Sequence, residues 1–250
     1  MFRPVVSTFR GVYQKVAMVG KPRWTRIEVG DSQVEAEQRT LAQRNEVQML
    51  RGESEFLAKV IDSVDTGDVF WDVGAHHGIV STLVLDHEPS ATAVAFEPVS
   101  ANMECLNETI RRNGVTGRVI TVSKALADSS GRIKFHRAPK DVAGRHRLAP
   151  DQQREGSKIA TVSGDELVEE GTVPPPNVLK VDVEGAEDLV IRGLREALIH
   201  CDNVFVELHP ETYDDEEETI GEIREILDSR GIEVEFLELG RAEKFLEGHR

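Results

Sequence analysis

A chain of 250 residues with 39% hydrophobic residues is long enough for one substantial α/β domain with additions. Its formal net charge of -15 disfavours a nucleic-acid partner, because phosphates would be repelled, and fits either a soluble protein or a salt-adapted host. The two cysteines, Cys105 and Cys201, favour free thiols over a disulfide framework, and no apolar run reaches the length of a membrane span. Because no signal-peptide pattern is visible either, the sequence predicts a cytoplasmic protein.

Residues 1–27 are basic, unlike the rest of the chain, and contain no acid. Their apolar residues recur at helical spacing and predict one apolar stripe with basic flanks. One interpretation is a helix in peripheral contact with an anionic membrane; the other, which we favour, is a helix packed on its own domain or on a second subunit. The oligomeric state is left open. We divide the chain into a partly amphipathic, helical N-terminal segment, residues 1–45, and a domain over residues 46–250.

A glycine-containing bend follows the first apolar strand of that domain. Val69, Phe70 and Trp71 predict a buried strand, and the run DVGAHHG, residues 72–78, leads into a helix over residues 79–87. Glycines at the mouth of a parallel strand let a ligand approach the backbone, and the following helix points its N–H groups at that ligand. The run lacks both the dinucleotide pattern G-x-G-x-x-G and the phosphate loop G-x-x-x-x-G-K. It therefore predicts a nucleotide-type cleft of another kind.

Strands and helices alternate along the rest of the chain, which predicts a mostly parallel sheet with helices on both faces. Residues 33–63 predict helix, and Ser100 is the expected N-cap of a helix that runs to Arg112. The second predicted strand lies around Val94, and further predicted strands cover residues 119–122, 132–137, 177–181, 204–210 and 232–239. Residues 138–158 are polar, basic in places and without periodicity, and predict a loop where a lid would sit.

Polar side chains follow several of these strands at the carboxyl edge of the sheet, where ligands bind. An acid at the tip of the second strand, Glu97, suits a bidentate grip on two ribose hydroxyls. For a hydroxyl acceptor the candidate bases are His209, Glu207, Asp182 and Glu184. We favour His209, because an unperturbed histidine titrates near neutrality; the alternative is a histidine that caps the strand end or is hydrogen-bonded in the core.

Lys180, Asp182 and Glu184 alternate along one strand and point to the same side, so they predict one network. Three interpretations stay open: the network orients the acceptor, binds Mg²⁺ through its carboxylates, or only fixes the strand-to-helix turn. The metal is the weaker option, and no metal ligand is assigned. His76 and His77 lack a third residue at a spacing that would support zinc.

An Asp-x-Gly bend followed by a strand-ending Glu resembles the class I S-adenosylmethionine-dependent methyltransferases. Within that class, the chain resembles the FkbM-type methyltransferases over residues 46–210, with LKVDVEGAE as the most specific motif. The motifs follow in the family's order: DVGAHHG, AFEP with Asn102, KALAD with Gly131, LKVDVEGAE and VELHP. Two departures are His76-His77, where the family more often has Asn and an apolar residue, and Gly164-Asp165-Glu166, which replaces a Leu-Asp-Asp stretch.

The resemblance implies a class I, Rossmann-like methyltransferase fold and transfer of a methyl group from S-adenosylmethionine. The acceptor would be a hydroxyl on a sugar, a glycan or another small metabolite. The expected cofactor-binding residues lie in the first three motifs: Asp72, Gly74, Ala75, Gly78, Glu97, Pro98, Asn102, Ala125 and Asp128. Of these, Asp72, Gly74 and Gly78 would cradle the methionine moiety, Glu97 would hold the ribose and Asp128 would lie near the adenine. The expected catalytic residues are Lys180, Asp182, Glu184 and His209.

Two rival functions also fit the sequence. One is a cofactor-binding subunit without turnover in a glycan or metabolite assembly system, against which Glu184 and His209 argue. The other is an NAD-dependent enzyme on a similar sheet, which the missing G-x-G disfavours.

Overall fold

A computed structural model of the chain describes residues 24–38, 54–137, 146–148, 158–237 and 244–250, together with residues 43, 44, 47 and 50. The strands are β1 (Trp24–Val29), β2 (Ser32–Glu37), β3 (Val69–Val73), β4 (Thr92–Phe96), β5 (Val119–Val122), β6 (Ala125–Leu126), β7 (Gly131–Arg137), β8 (His146–Leu148), β9 (Lys158–Val162), β10 (Val178–Val181), β11 (Asn203–Leu208), β12 (Glu233–Leu237) and β13 (Lys244–His249). The α-helices are α1 (Ser54–Asp62), α2 (Ile79–His87), α3 (Ser100–Arg112), α4 (Gly164–Glu169), α5 (Glu187–Arg192) and α6 (Glu216–Ser229). Short 3₁₀ turns cover Thr116–Arg118, Ala197–His200 and Pro210–Thr212.

The central sheet has seven strands in the order β12-β13-β11-β10-β3-β4-β5. The strands from β11 to β5 pair in parallel, whereas β13 is antiparallel to both of its neighbours. The inner strands are almost continuously apolar and buried, as in VFWDV of β3 and VLKV of β10, because a parallel sheet with covered faces hides both sides of each strand. The predicted mostly parallel sheet is therefore confirmed.

Helices cover both faces of this sheet, as predicted. Helices α1, α2 and α3 bury residues such as Phe56, Leu83 and Leu106 in one apolar cluster. Helices α4, α5 and α6 bury residues such as Ile191 and Ile223 in the other. Because the parallel strands run the same way, their carboxyl ends meet at one edge between the two clusters. None of the described helices has the length and apolar character that a membrane crossing needs.

The region before the sheet differs from its prediction. Residues 24–37 form an antiparallel hairpin of β1 and β2, so the predicted helix over residues 33–63 is wrong at its start and right over Ser54–Asp62. In β2, Ser32, Val34 and Ala36 are buried while Gln33 is exposed. This alternation of buried and exposed residues is typical of a strand, but the Glu- and Gln-rich composition of the segment suggested a helix. Within the predicted helical segment 1–45, the hairpin is therefore not helical. Residues 1–23, with the basic stripe, lie outside the described residues.

Two local expectations also change. The residue before α3 is Val99, not Ser100; Ser100 begins the helix, and the backbone N–H of Val99 donates to Glu97 Oε1 at 2.7 Å. Within the predicted loop 138–158, residues His146–Leu148 form β8, which joins a second sheet in the order β6-β9-β7-β8. Residues 138–145 and 149–157 lie outside the described residues, so the lid stays a prediction.

Candidate active site

The bend after β3 lies between the ends of β4 and β10. Gly74 and Gly78 have positive φ angles of 86° and 73°, and the backbone N–H groups of Gly74 and Ala75 donate to the carbonyl of Phe96 at 3.1 and 3.0 Å. A Cβ on Gly74 would lie 1.9 Å from the backbone oxygen of Asp182. Glycine is therefore required here twice, for the left-handed backbone and for the close approach to β10. The bend brings the predicted cofactor loop against the predicted catalytic segment.

Asp72 stabilises this bend through contacts of its side chain. Its side chain has no solvent exposure, and Oδ2 accepts hydrogen bonds from the backbone N–H and the hydroxyl of Ser81, at 3.1 and 2.7 Å. Oδ1 lies 3.3 Å from Nζ of Lys180 on β10. The carboxylate thus ties the first turn of α2 to the neighbouring strand. Direct contact of Asp72 with a methionine moiety stays a prediction, whereas its supporting contacts are in place.

Glu97 is a buried carboxylate between the bend and the start of α3. Its Oε2 accepts from the backbone N–H of His76 at 3.1 Å and its Oε1 from that of Val99. Burial raises the pKa of Glu97 to about 7, although hydrogen bonds from Val99 and Asn102 and the charge of His77 act in the opposite direction. Oδ1 of Asn102 is buried without a hydrogen-bond partner among the described residues. Two acceptor groups are therefore adjacent at the position predicted for the ribose.

The adjoining histidines occupy the same loop. The rings of His76 and His77 stack with centroids 3.8 Å apart, and His77 is only 3% exposed. His76 has a positive φ of 48°, a backbone conformation that is uncommon for a residue with a Cβ. This departure from the family pattern therefore lies beside Glu97.

The remaining predicted cofactor residues, Pro98, Ala125 and Asp128, lie in different parts of the fold. Pro98 follows Glu97 directly, and Ala125 is buried at the start of β6. Asp128 is exposed, and its backbone packs beside Gly193 at the end of α5, where its charge acts on Arg192. These contacts give no support to a position near the adenine, so that assignment stays a prediction.

Lys180 lies between Asp72, which stabilises the Gly74 bend, and Asp182, which follows β10. Its Nζ lies 3.3 Å from Asp72 Oδ1 and 3.5 Å from Asp182 Oδ2, and the residue is 4% exposed. Burial lowers the pKa of Lys180, but the charges of Asp72, Asp182 and Glu207 outweigh it and raise the pKa above the ordinary value. The ammonium group is therefore a fixed positive charge between the carboxylates.

A sharp turn in the LKVDVEGAE motif connects β10 to α5. Glu184 has a φ of 58° and Gly185 a φ of 101°, so the chain reverses sharply between β10 and α5. A Cβ on Gly185 would lie 2.2 Å from Oγ1 of Thr212, which follows β11. The turn is thereby packed against the end of β11, where His209 lies.

His209 is held at the centre of this edge and is 5% exposed. Its Nδ1 lies 2.7 Å from Oε1 of Glu187, and because a carboxylate only accepts, the ring N–H is the donor. Its Nε2 lies 3.6 Å from Glu184 Oε2 and 3.8 Å from Glu207 Oε1. Glu187 has no solvent exposure, and it also accepts from the hydroxyl of Tyr213 at 2.9 Å.

The charge state of His209 differs from its prediction. Burial lowers its pKa, but the hydrogen bond with Glu187 and the charges of Glu187, Asp182 and Glu184 outweigh burial and raise the pKa to about 10. The expectation of a titration near neutrality is therefore wrong, because the neighbouring carboxylates favour the charged ring. A role for His209 as base stays a prediction, and it would need loss of that proton.

The site also contains residues that the sequence did not single out. Glu187 lies in the first turn of α5, where an acid ordinarily faces solvent, and Tyr213 follows His209 by four positions. Ser81 lies on α2. Of these residues, only Glu187 could have been found from the sequence, because it lies in the LKVDVEGAE motif.

The donor atoms of Asp182, Glu207 and His209 lie within 4.8 Å of one another. These three residues, rather than Asp182 with Glu184, are therefore the group that could hold a metal ion.

Comparisons with known proteins identify the family of the chain. A family model described as the methyltransferase FkbM domain matches residues 72–234. Hexuronic acid methyltransferase AglP of Haloferax volcanii is 36% identical over 202 residues, which cover 80% of this chain and 78% of that protein.

Two solved structures are similar in fold. The crystal structure of methyltransferase FkbM from Methylobacillus flagellatus KT has a TM-score of 0.54 at 16% identity and covers 81% of this chain and 54% of that one. The fibrillarin pre-rRNA processing protein of Methanococcus jannaschii has a TM-score of 0.50 at 14% identity and covers 94% of this chain and 91% of that one. At these identities the likeness concerns the fold alone, which is that of the class I methyltransferases.

Proposed function

This chain belongs to the FkbM methyltransferase family, and from that premise we propose that it transfers the methyl group of S-adenosylmethionine to an oxygen of a hexuronic acid in a glycan. The observation that carries the acceptor class is the 36% identity to a hexuronic acid methyltransferase across 80% of this chain. The 202 aligned residues include most of the residues that the structure describes. The family and this relative do not favour a cofactor-binding subunit without turnover.

The cofactor would lie over the bend after β3. Glu97 and the buried Oδ1 of Asn102 offer acceptors to the ribose hydroxyls, and Gly74 and Gly78 keep the loop free of side chains where the methionine moiety would approach. The bound cofactor supplies an electrophilic methyl group on a positively charged sulfur. The nearby carboxylates favour a cationic ligand by simple Coulomb attraction. The residues present therefore fit this cofactor.

The acceptor would lie at the ends of β10 and β11. Asp182 contacts the Gly74 bend through its backbone, so a ligand beside Asp182, Glu184 and His209 lies next to the proposed methionine site. Holding the acceptor oxygen in line with the methyl group supplies most of the reduction in barrier. For a hydroxyl acceptor we assign proton removal to Glu184, because His209 already holds its proton at neutral pH.

The test is methyl transfer from labelled S-adenosylmethionine to matched acceptors, namely a β-glucuronide and the corresponding β-glucoside, and to a lipid-linked glycan that carries a hexuronic acid. We expect label on the uronic-acid acceptors and little on the glucoside. Treatment with alkali then distinguishes a stable ether from a labile methyl ester. Transfer to the glucoside alone would reject the acceptor class, and transfer to none of them would reject the whole proposal.

A matched pair of variants tests the assignment of Glu184. Glu184→Gln should lower transfer to a hydroxyl about 100-fold or more, whereas Glu217→Gln, at an exposed position in the first turn of α6, should not change it. An unchanged rate in Glu184→Gln would remove Glu184 as the base.

A further inference from the structure

We propose that Asp182, Glu207 and His209 form a binding site for a divalent transition-metal ion such as Mn²⁺. Asp182 follows β10, whereas Glu207 and His209 lie at the end of β11, so adjacent strands bring the three donors together. One donor atom from each lies within 4.8 Å of the others, and Glu207 and His209 are buried. Carboxylates suit Mn²⁺ and imidazole suits several other first-row transition metals, so this mixed ligand set fits such an ion.

The orientation of His209 points independently to a ligand at Nε2. Metal-binding histidines almost always donate their other ring N–H to a carboxylate or a carbonyl, which fixes the ring. Here Nδ1 lies 2.7 Å from Glu187, outside the proposed ligand set. An ion at Nε2 would displace the proton that this nitrogen carries in the metal-free protein. Glu187 is itself held by the hydroxyl of Tyr213 and the backbone N–H of Gly185, both at 2.9 Å. The ring therefore cannot turn its Nε2 away from the carboxylates without breaking this arrangement.

The distances around Nε2 agree with a shared ion. Carboxylate oxygens of Glu184 and Glu207 lie 3.6 and 3.8 Å from Nε2. A charged N–H···O hydrogen bond would measure about 2.7–2.9 Å. Ligands that share one ion, with bonds of about 2.0–2.2 Å, lie about 2.8–3.8 Å from each other. Nε2 thus stands at ligand-to-ligand rather than hydrogen-bond distance from Glu207, and Glu184, outside the proposed ligand set, lies equally close. The three proposed donor atoms, which lie within 4.8 Å of one another, would draw closer together around the ion.

The local charge also favours a cation. Among the described residues here, five carboxylates surround two positive groups, Lys180 and His209. The carboxylates belong to Asp72, Asp182, Glu184, Glu187 and Glu207. Lys180 lies 3.5 Å from Asp182 Oδ2 and weakens that one oxygen as a ligand. Imidazole suits Zn²⁺ and carboxylates suit Mn²⁺, whereas Mg²⁺ prefers oxygen ligands and water.

An ion at this position would also explain how an acidic site accepts an anionic sugar. The carboxylate cluster repels a uronate, whereas a divalent ion between them attracts it. This consequence rests on the proposed function; the binding of the ion does not.

The test is titration of the metal-free full-length protein with MnCl₂, with free Mn²⁺ measured by electron paramagnetic resonance. We expect one saturable site, and a loss of affinity of at least tenfold in Asp182→Asn and His209→Gln. Glu187→Gln should weaken binding about 10- to 100-fold, because it releases the ring of His209. Glu217→Gln, in the exposed acidic first turn of α6, should leave affinity unchanged.

A second readout does not depend on affinity. Spin-echo modulation from a coordinated imidazole nitrogen should be present in the wild type and absent in His209→Gln. Circular dichroism checks that each variant is folded; if His209→Gln is not, Asp182→Asn supplies the comparison of affinities. Absence of a saturable site, or equal affinity in all variants, would overturn the proposal. Because no acceptor is present, failure of the uronic-acid assignment would leave this result intact.

Discussion

Nδ1 of His209 lies 2.7 Å from Oε1 of Glu187, a carboxyl group with no solvent exposure. The pair joins the end of β11 to the first turn of α5 and fixes which ring nitrogen faces the cleft. A buried ion pair of this kind contributes little to net stability but is costly to break, because the remaining charge is left without compensation. We therefore regard Glu187 as a positioning residue that acts through His209.

Glu187→Gln tests this relationship, because it keeps the shape of the side chain and removes its charge. The pKa of His209 should fall from about 10, since the variant loses the strongest of the interactions that raise it. Turnover should fall at least tenfold, while the affinity for S-adenosylhomocysteine should hardly change. Nuclear magnetic resonance titration of the histidine ring protons in the metal-free protein measures the first effect, and calorimetry measures the last.

Tyr213→Phe is the matched control, because it removes one hydrogen bond to Glu187 and leaves the charge in place. It also removes the hydrogen bond from the backbone N–H of His209 to the Tyr213 hydroxyl. Because the carboxylate charge is kept, the pKa of His209 should stay close to its wild-type value. The folded-state pKa is above the ordinary value of 6.5, so protonation of His209 stabilises the fold below that pH, and this contribution is lost as the pH rises through about 10. An unchanged histidine titration in Glu187→Gln would contradict the account of this pair.

Replacement of Glu97 should affect cofactor binding rather than the chemical step. Glu97→Gln removes a charged acceptor for two hydroxyls, so the dissociation constant for S-adenosylhomocysteine should rise about 10- to 100-fold. Glu104→Gln, on the exposed side of α3, is the control and should bind like the wild type. Equal affinities in all three proteins, measured by calorimetry, would remove the ribose assignment.

Cofactor affinity should also depend on pH through the same carboxyl group. Burial raises the pKa of Glu97 to about 7 in the unliganded protein, and only the ionised form accepts from both ribose hydroxyls. Affinity should therefore be constant above pH 8 and fall by up to about tenfold per pH unit below 7. Calorimetry in two buffers should show proton release on binding near pH 6. A flat profile from pH 5.5 to 8 in the wild type would show that Glu97 does not titrate in this range.

Gly74 and Gly67 provide a matched pair for the bend after β3. Both have a φ of 86°, but a Cβ on Gly74 would lie 1.9 Å from Asp182 backbone oxygen, whereas one on Gly67 meets nothing within 4 Å. Gly67→Ala should cost about 1 kcal/mol for the left-handed backbone alone. Gly74→Ala adds the steric overlap and should lower stability further, as well as cofactor affinity. Equal melting temperatures of the two variants would argue against the close contact of bend and β10.

The positions of the main site residues were predictable from the sequence, because the carboxyl ends of parallel strands meet at one edge. The sequence placed Asp72, Glu97, Asp182 and His209 at the ends of apolar strands. In the structure Asp72 is the fourth residue of β3, and the other three directly follow β4, β10 and β11. The helix over Ile79–His87 was also predicted correctly.

Other features depend on contacts that one sequence does not contain. The charge of His209 is set by Glu187, an acid 22 positions earlier that looks like an ordinary first-turn residue of a helix. The supporting role of Asp72 depends on Lys180, 108 positions away. The hairpin at Trp24–Glu37 was missed because its Glu and Gln residues resemble those of a surface helix.

The most direct measurement is a crystal structure of the protein with S-adenosylhomocysteine bound. We expect both ribose hydroxyls on the carboxylate of Glu97, the amino-acid moiety over the Gly74–Gly78 bend, and the sulfur facing Asp182 and His209. A complex in which the ribose lies away from Glu97, or the sulfur points away from the ends of β10 and β11, would contradict the account.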